Sequence, residues 1–223
     1  MRVTGYGAPS RGNGHAAGLA AAMGVVVFTL TGCGLGEPVV HGDDRKHPLR
    51  VLVGAGGGNL DIPDGVRPGD PWTASFGGFT PCVMTGEGPL TITDVTWAAD
   101  PGLEPTSVET YVVTSDGATF APYPAIIGSP TEPVSPESWG EIEKLEIRED
   151  VVGYEATIPC ARFGHRTDPV DEFYLTLTTD GGGVMVRDLR FHYQTPEGKE
   201  LILQSEWDMG MCGPEMPEEE CPP

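Results

Sequence analysis

Basic residues are scarce in this chain: 13 Lys and Arg stand against 33 Asp and Glu among 223 residues, a formal net charge of −20 at pH 7. That deficit excludes nucleic acid as a natural partner and disfavours electrostatic docking on anionic lipid, since like charges repel across both surfaces. Long apolar runs are missing as well. The longest, residues 16–30 (AAGLAAAMGVVVFTL), has 15 residues, short of the ~20 that cross a bilayer as a helix. No sustained 3.6-residue periodicity is present, which argues against a helical bundle. Motifs for common chemistries are absent too: there is no G-x-S-x-G, no H-E-x-x-H, no S-x-x-K and no C-x-x-C. Gly and Pro, by contrast, are plentiful at 32 and 22, and apolar residues make up 39% of the chain. Because those apolar residues gather into short alternating runs, the composition indicates a turn-rich, folded β protein and not a disordered one.

The N-terminus explains the one long apolar stretch. Residues 1–15 are polar with two arginines, 16–30 are apolar, and Leu30-Thr31-Gly32-Cys33 follows at once. A short apolar core behind a basic leader is the pattern of a secretory signal peptide. The tetrapeptide resembles the lipobox of bacterial lipoproteins, in which two small residues admit the backbone to the peptidase and the cysteine thiol accepts a diacylglyceryl group. The resemblance implies cleavage before Cys33, acylation of that thiol and attachment to the bilayer at the extracytoplasmic side, two acyl chains being enough for stable anchoring. Loss of Arg2 and Arg11 then leaves 11 basic against 33 acidic residues, a net charge of −22. The late segment DEFYLTLTTDGGGVMVRDLRFHYQTPEGKELILQSEWDMGMC, with the Gly- and Pro-rich composition, is similar to exported lipoproteins of high-GC Gram-positive bacteria. That similarity implies an address and no mechanism.

The organisation read from the sequence is a signal peptide over 1–32, a lipidated cysteine and tether over 33–48, a β domain over 49–213 and an acidic, Pro-rich tail over 214–223. Strands are expected at 50–53, 72–76, 79–84, 90–97, 108–114, 141–147, 154–158, 173–178, 184–193 and 199–207. Many short strands separated by turn signals indicate an all-β fold, an immunoglobulin-like antiparallel β-sandwich. The clearest unit is a hairpin: Leu189, Phe191 and Tyr193 alternate with Arg190 and His192, Thr195-Pro196-Glu197-Gly198 turns, and Leu201, Leu203, Ser205 and Trp207 alternate again. The tail is expected to be mobile unless Cys221 is tied down.

Setting Cys33 aside leaves Cys82, Cys160, Cys212 and Cys221, an even number that suggests two disulfides outside the cytoplasm. Position on or beside predicted strands favours Cys82 with Cys160, leaving Cys212 with Cys221 to close the tail; pairing of Cys212 across the sandwich is the alternative. The spacings do not suit a structural zinc site.

Residues 51–58 (VLVGAGGG) open like a dinucleotide loop, but Asn59 stands where the third glycine belongs and three prolines in 60–71 forbid the helix that must follow. Asp61 and Asp64 share a turn without the spacing of a calcium loop. Met209, Met211, Cys212 and Met216 bring soft sulfur ligands together in sequence, with His165 and His192 elsewhere, which raises extracytoplasmic metal handling as a second function, of copper through these sulfurs or of calcium through the acidic patches. A cell-envelope hydrolase assembled from distant residues is a third. No cofactor is implied. Glu141, Glu143, Glu146, Glu149 and Asp150 form a charge run expected to coat an exposed edge. Trp97 and Trp207, in alternating strands, are expected in the core. Trp139, in SPESWGE, is the expected partner contact, because exposed tryptophans stack on sugars and anchor protein interfaces. Envelope proteins or glycans are the corresponding partners.

Overall fold

The alternation that marks the C-terminal hairpin also organises the molecule. A computed structural model describes residues 39–41, 47–52, 58–84, 86–115, 125–133, 145–162, 169–205 and 207–221. In chain order the strands are β1 (Val39–His41), β2 (Leu49–Leu52), β3 (Gly58–Leu60), β4 (Trp72–Val83), β5 (Leu90–Ala99), β6 (Ser107–Ser115), β7 (Ala125–Ile127), β8 (Glu146–Glu149), β9 (Glu155–Ala156), β10 (Val170–Thr179), β11 (Val184–Gln194), β12 (Glu200–Gln204) and β13 (Met209–Met211). They form two sheets packed as an all-β sandwich. One has seven strands and runs β1-β12-β11-β13-β3, with β5 on the other side of β11 and β9 beyond β5; the other has six and runs β2-β4-β10-β6-β8, with β7 also on β4. Most pairs are antiparallel; β1–β12 and β13–β3 are parallel.

Leu189, Phe191 and Tyr193 of β11 point into the core, as their phase requires, but so do Val184 and Val186. The switch from even to odd positions is made by one extra residue at Arg187 and Asp188, where pairing with β5 skips and Asp188 takes a φ of 52°. This is a β-bulge, and it lets one strand present apolar side chains inward along its whole length. Opposite it, β12 and β13 follow one another along the same edge of β11, and Trp207 enters the core from the break between them. The hairpin turn forms as expected, with the Thr195 N–H donating to the Lys199 carbonyl (2.9 Å) and Gly198 at positive φ.

The two strands expected at 72–76 and 79–84 are one, β4. Its core residues also change phase, from Trp72, Ala74 and Phe76 to Phe79 and Val83, across Gly77 and Gly78. Gly78 has a φ of 82°, and pairing with β10 skips there. Glycines signalled a break, but the chain uses them for a bulge that the Tyr174 ring covers. Tyr174 belongs to a second apolar cluster on the outer face of this sheet, with Tyr111, Val113 and Ile126.

Glu172 lies on that outer face, only 2% exposed, accepting a hydrogen bond from the Tyr174 hydroxyl (3.3 Å). Burial pushes its carboxyl up to about 8, against the lowering effect of that bond and of one from the Gly78 backbone. A carboxyl whose folded value exceeds its unfolded value of 4.5 binds more protons in the folded state. Stability therefore falls as pH rises from about 4.5 to about 8, with a slope of at most about 1.4 kcal/mol per pH unit for one proton. Glu172→Gln should remove this slope and unfold at higher urea than the parent at pH 8.5, with little difference at pH 4. Identical urea midpoints for the two proteins across that range would count against the assignment.

The C-terminal tail is fastened. Cys212 and Cys221 are joined, Met216 packs with Leu103 and Met185, and the Glu215 N–H donates to the Gly182 carbonyl (2.9 Å). The Arg187 guanidinium meets Asp100 (3.0 Å), Asp208 (2.7 Å) and Glu220 (3.2 Å), so the bulge of β11 also holds the tail. Partial exposure of all four side chains keeps each pair weak on its own. Within the segment read as a tether, Val39–His41 instead forms β1.

Candidate functional site

The open side of the sandwich carries a groove of about 600 Å³ between β5 of one sheet and β6 of the other. It exists because both strands lose their outer partners there. β9 covers β5 only at Leu90 and Thr91, and β8 covers β6 only from Tyr111 to Thr114. Among the described residues no strand pairs with the remaining outer edge of either. Val95 and Val108, one from each sheet, form the apolar floor.

Trp97 is the residue that departs most from expectation. It shares the phase of Val95, and its neighbour Thr96 points outward to His192 Nε2 (2.9 Å), so Trp97 lies on the inner side as its alternation requires. The indole is nonetheless 39% exposed, on the groove wall. It is not a core residue. Val152, 44% exposed, stands on the same groove.

Four acidic residues line the groove: Asp94, Glu109, Glu149 and Asp150. Three are held in place. Asp94 Oδ1 accepts the Val95 N–H (2.9 Å), and Glu109 Oε2 accepts the Tyr111 hydroxyl (2.6 Å). Asp150 Oδ1 accepts from Thr110 Oγ1 (3.2 Å) and the Val152 N–H (2.8 Å). Tyr111 is pushed up to about 12, first by burial and then by its bond to Glu109 and the negative charge of Glu109 and Glu149, so it stays a donor at all physiological pH. Asp150 has a φ of 70°, a left-handed conformation that Asp adopts more readily than most residues because its side chain bonds locally. Its backbone is clamped on every side: its N–H donates to the Thr110 carbonyl (2.7 Å), and its carbonyl accepts Arg148 Nε and Nη2 (3.2 and 3.1 Å).

The described lining contains no histidine, cysteine, serine or lysine. Glu172, the carboxyl that burial raises, is not part of it. The arrangement can bind; it holds apolar area, an indole face and fixed hydrogen-bond acceptors.

Cys82 and Cys160 form one disulfide and Cys212 and Cys221 the other. Cys33, Trp139 and His165 lie outside the described residues. Glu149 and Asp150 show that the charge run does more than coat an edge, although β8 is indeed the edge strand of its sheet. The sulfurs that suggested copper do not converge: Met209 and Met211 are in the main core, Met216 packs in a separate cluster, and Cys212 is oxidised. Asp64 and Gly65 form a turn, Gly65 with positive φ. Sequence reasoning missed the groove because its position depends on how two sheets are assembled. No family model, curated protein or solved structure matches the chain.

Proposed function

We propose that this protein is a lipid-anchored extracytoplasmic binding module, held to the bilayer by acylated Cys33 and presenting the β5–β6 groove to a partner. The observation that carries the binding role is the groove itself, whose wall holds an indole 39% exposed beside apolar and acidic residues. The address is supported by the lipobox-like Leu30-Thr31-Gly32-Cys33 behind an apolar segment and by two disulfides, which form and persist outside reducing compartments. Trp97 is a contact residue of the groove, beside the contact expected at Trp139.

Cys33→Ala removes the acyl acceptor. The expected result, read by cell fractionation and intact mass, is protein shed from the membrane fraction or an uncleaved precursor still carrying residues 1–32. Mature-length variant protein retained in the membrane would refute the anchoring.

A further inference from the structure

We infer that the β5–β6 groove takes an extended peptide segment bearing Arg or Lys side chains, contributed by a partner protein. This rests on the binding-module reading above and names its ligand. Charge complementarity is the first ground. The described lining has four acidic residues and no basic one, so it attracts a cation and repels an anion. Arg148, which flanks the groove, is already committed to the Asp150 carbonyl and lies over the Tyr154 ring at 5.6 Å.

The second ground is the kind of cation. Trp97 offers a π face, on which a guanidinium or ammonium group is attracted by the ring quadrupole. Val95 and Val108 suit the aliphatic stem of the same side chain, while the charged head stays at the acidic rim. Asp150, already oriented through one oxygen, is an acceptor of fixed direction for such a head. A small metal ion would leave the indole and the valines unused, and among the described residues no three His, Cys, Asp or Glu gather to hold one.

The third ground is shape. β5 and β6 border the groove with strand edges that no described strand occupies, so a ligand in β conformation runs alongside them with alternate side chains directed inward. The Asp94 carboxylate already occupies the Val95 N–H, which blunts this edge against indiscriminate pairing and leaves charge and side-chain fit to select the ligand.

The test is calorimetric titration of the oxidised full-length protein in detergent with three probes: a nonapeptide of alternating Arg and Val, the same peptide with Glu for Arg, and a neutral linear β-1,4-linked hexaose. The Arg peptide should bind and the Glu peptide should not. Raising NaCl from 50 to 500 mM should weaken the Arg peptide by about tenfold or more, because rim charges are screened over that range. Trp97→Ala, and separately Glu109→Gln with Glu149→Gln, should each weaken it about tenfold with an unchanged far-ultraviolet spectrum. Glu197→Gln with Glu200→Gln, which removes the same charge from the exposed hairpin, should change it by less than about twofold. Equal losses from both charge pairs would mean general acidity and overturn the inference. Binding of the hexaose alone, abolished by Trp97→Ala, would also overturn it while leaving the binding module standing. Binding of none of the three probes would overturn the inference, and the groove's role as a binding site with it.

Discussion

Replacing Cys82 and Cys160 together by alanine should lower the unfolding free energy by about 4 to 5 kcal/mol, and replacing Cys212 and Cys221 by about 2 to 3. The difference comes from loop length. The first bridge closes a separation of 78 residues and the second one of 9, and the entropy withheld from the unfolded chain grows with the logarithm of the loop. The larger loss also has a topological reason. Cys82 ends β4 in the six-stranded sheet, while Cys160 follows β9, which belongs to the seven-stranded sheet. The bridge, with the Val83 N–H donating to the Ile158 carbonyl (2.9 Å), is therefore a tie between the layers. Every groove residue, from Asp94 to Val152, lies inside the 78-residue loop. Urea unfolding of the two double variants under oxidising conditions measures this. A loss from the tail bridge equal to or greater than that from the inter-sheet bridge would reject the ordering.

Gly77→Ala should cost about 1 to 3 kcal/mol or more, a large effect for a single methyl group. A Cβ at this position would sit 2.0 Å from Tyr174 Cε1, well inside contact distance, and Tyr174 is 1% exposed. Its ring is held in the cluster with Tyr111, Val113 and Ile126, and its hydroxyl reaches Glu172. The cause can be separated from generic backbone effects by a double-mutant cycle. Tyr174→Ala alone should cost about 3 to 5 kcal/mol, and Gly77→Ala added to it should cost almost nothing. Strict additivity of the two changes in urea unfolding would show that the glycine is needed for some reason other than the tyrosine above it.

Much of this architecture is legible in the residues. Alternation at Leu189, Phe191 and Tyr193, and again at Phe173, Leu175 and Leu177, fixes which face of β11 and β10 is buried. Placement of cysteines by strands gives the pairing found. What escapes the sequence has identifiable physical causes. β1, β3 and β7 have three residues each, too few for any period, and β3 and β1 pair in parallel with strands more than a hundred positions away. Gly77 and Gly78 read as an end because a bulge and a break use the same residues. Trp97 follows its alternation faithfully, yet burial needs covering neighbours as well as the right phase, and only the assembled sandwich determines where those lie.

The short strand β1 sets a distance. In the lipid-anchored form, six chain steps separate Cys33 from Val39, where pairing with β12 begins. At the 3.3 to 3.6 Å that an extended residue spans, this leash reaches about 20 Å, where a leash running to Leu49 would reach about 55 Å. On the anchoring proposed above, the leash would hold the start of β1 within about 20 Å of the bilayer surface, so the sandwich would search only a shallow layer above it. A partner segment long enough to enter the groove must come down to that height, which favours proteins that are themselves rooted in the same membrane.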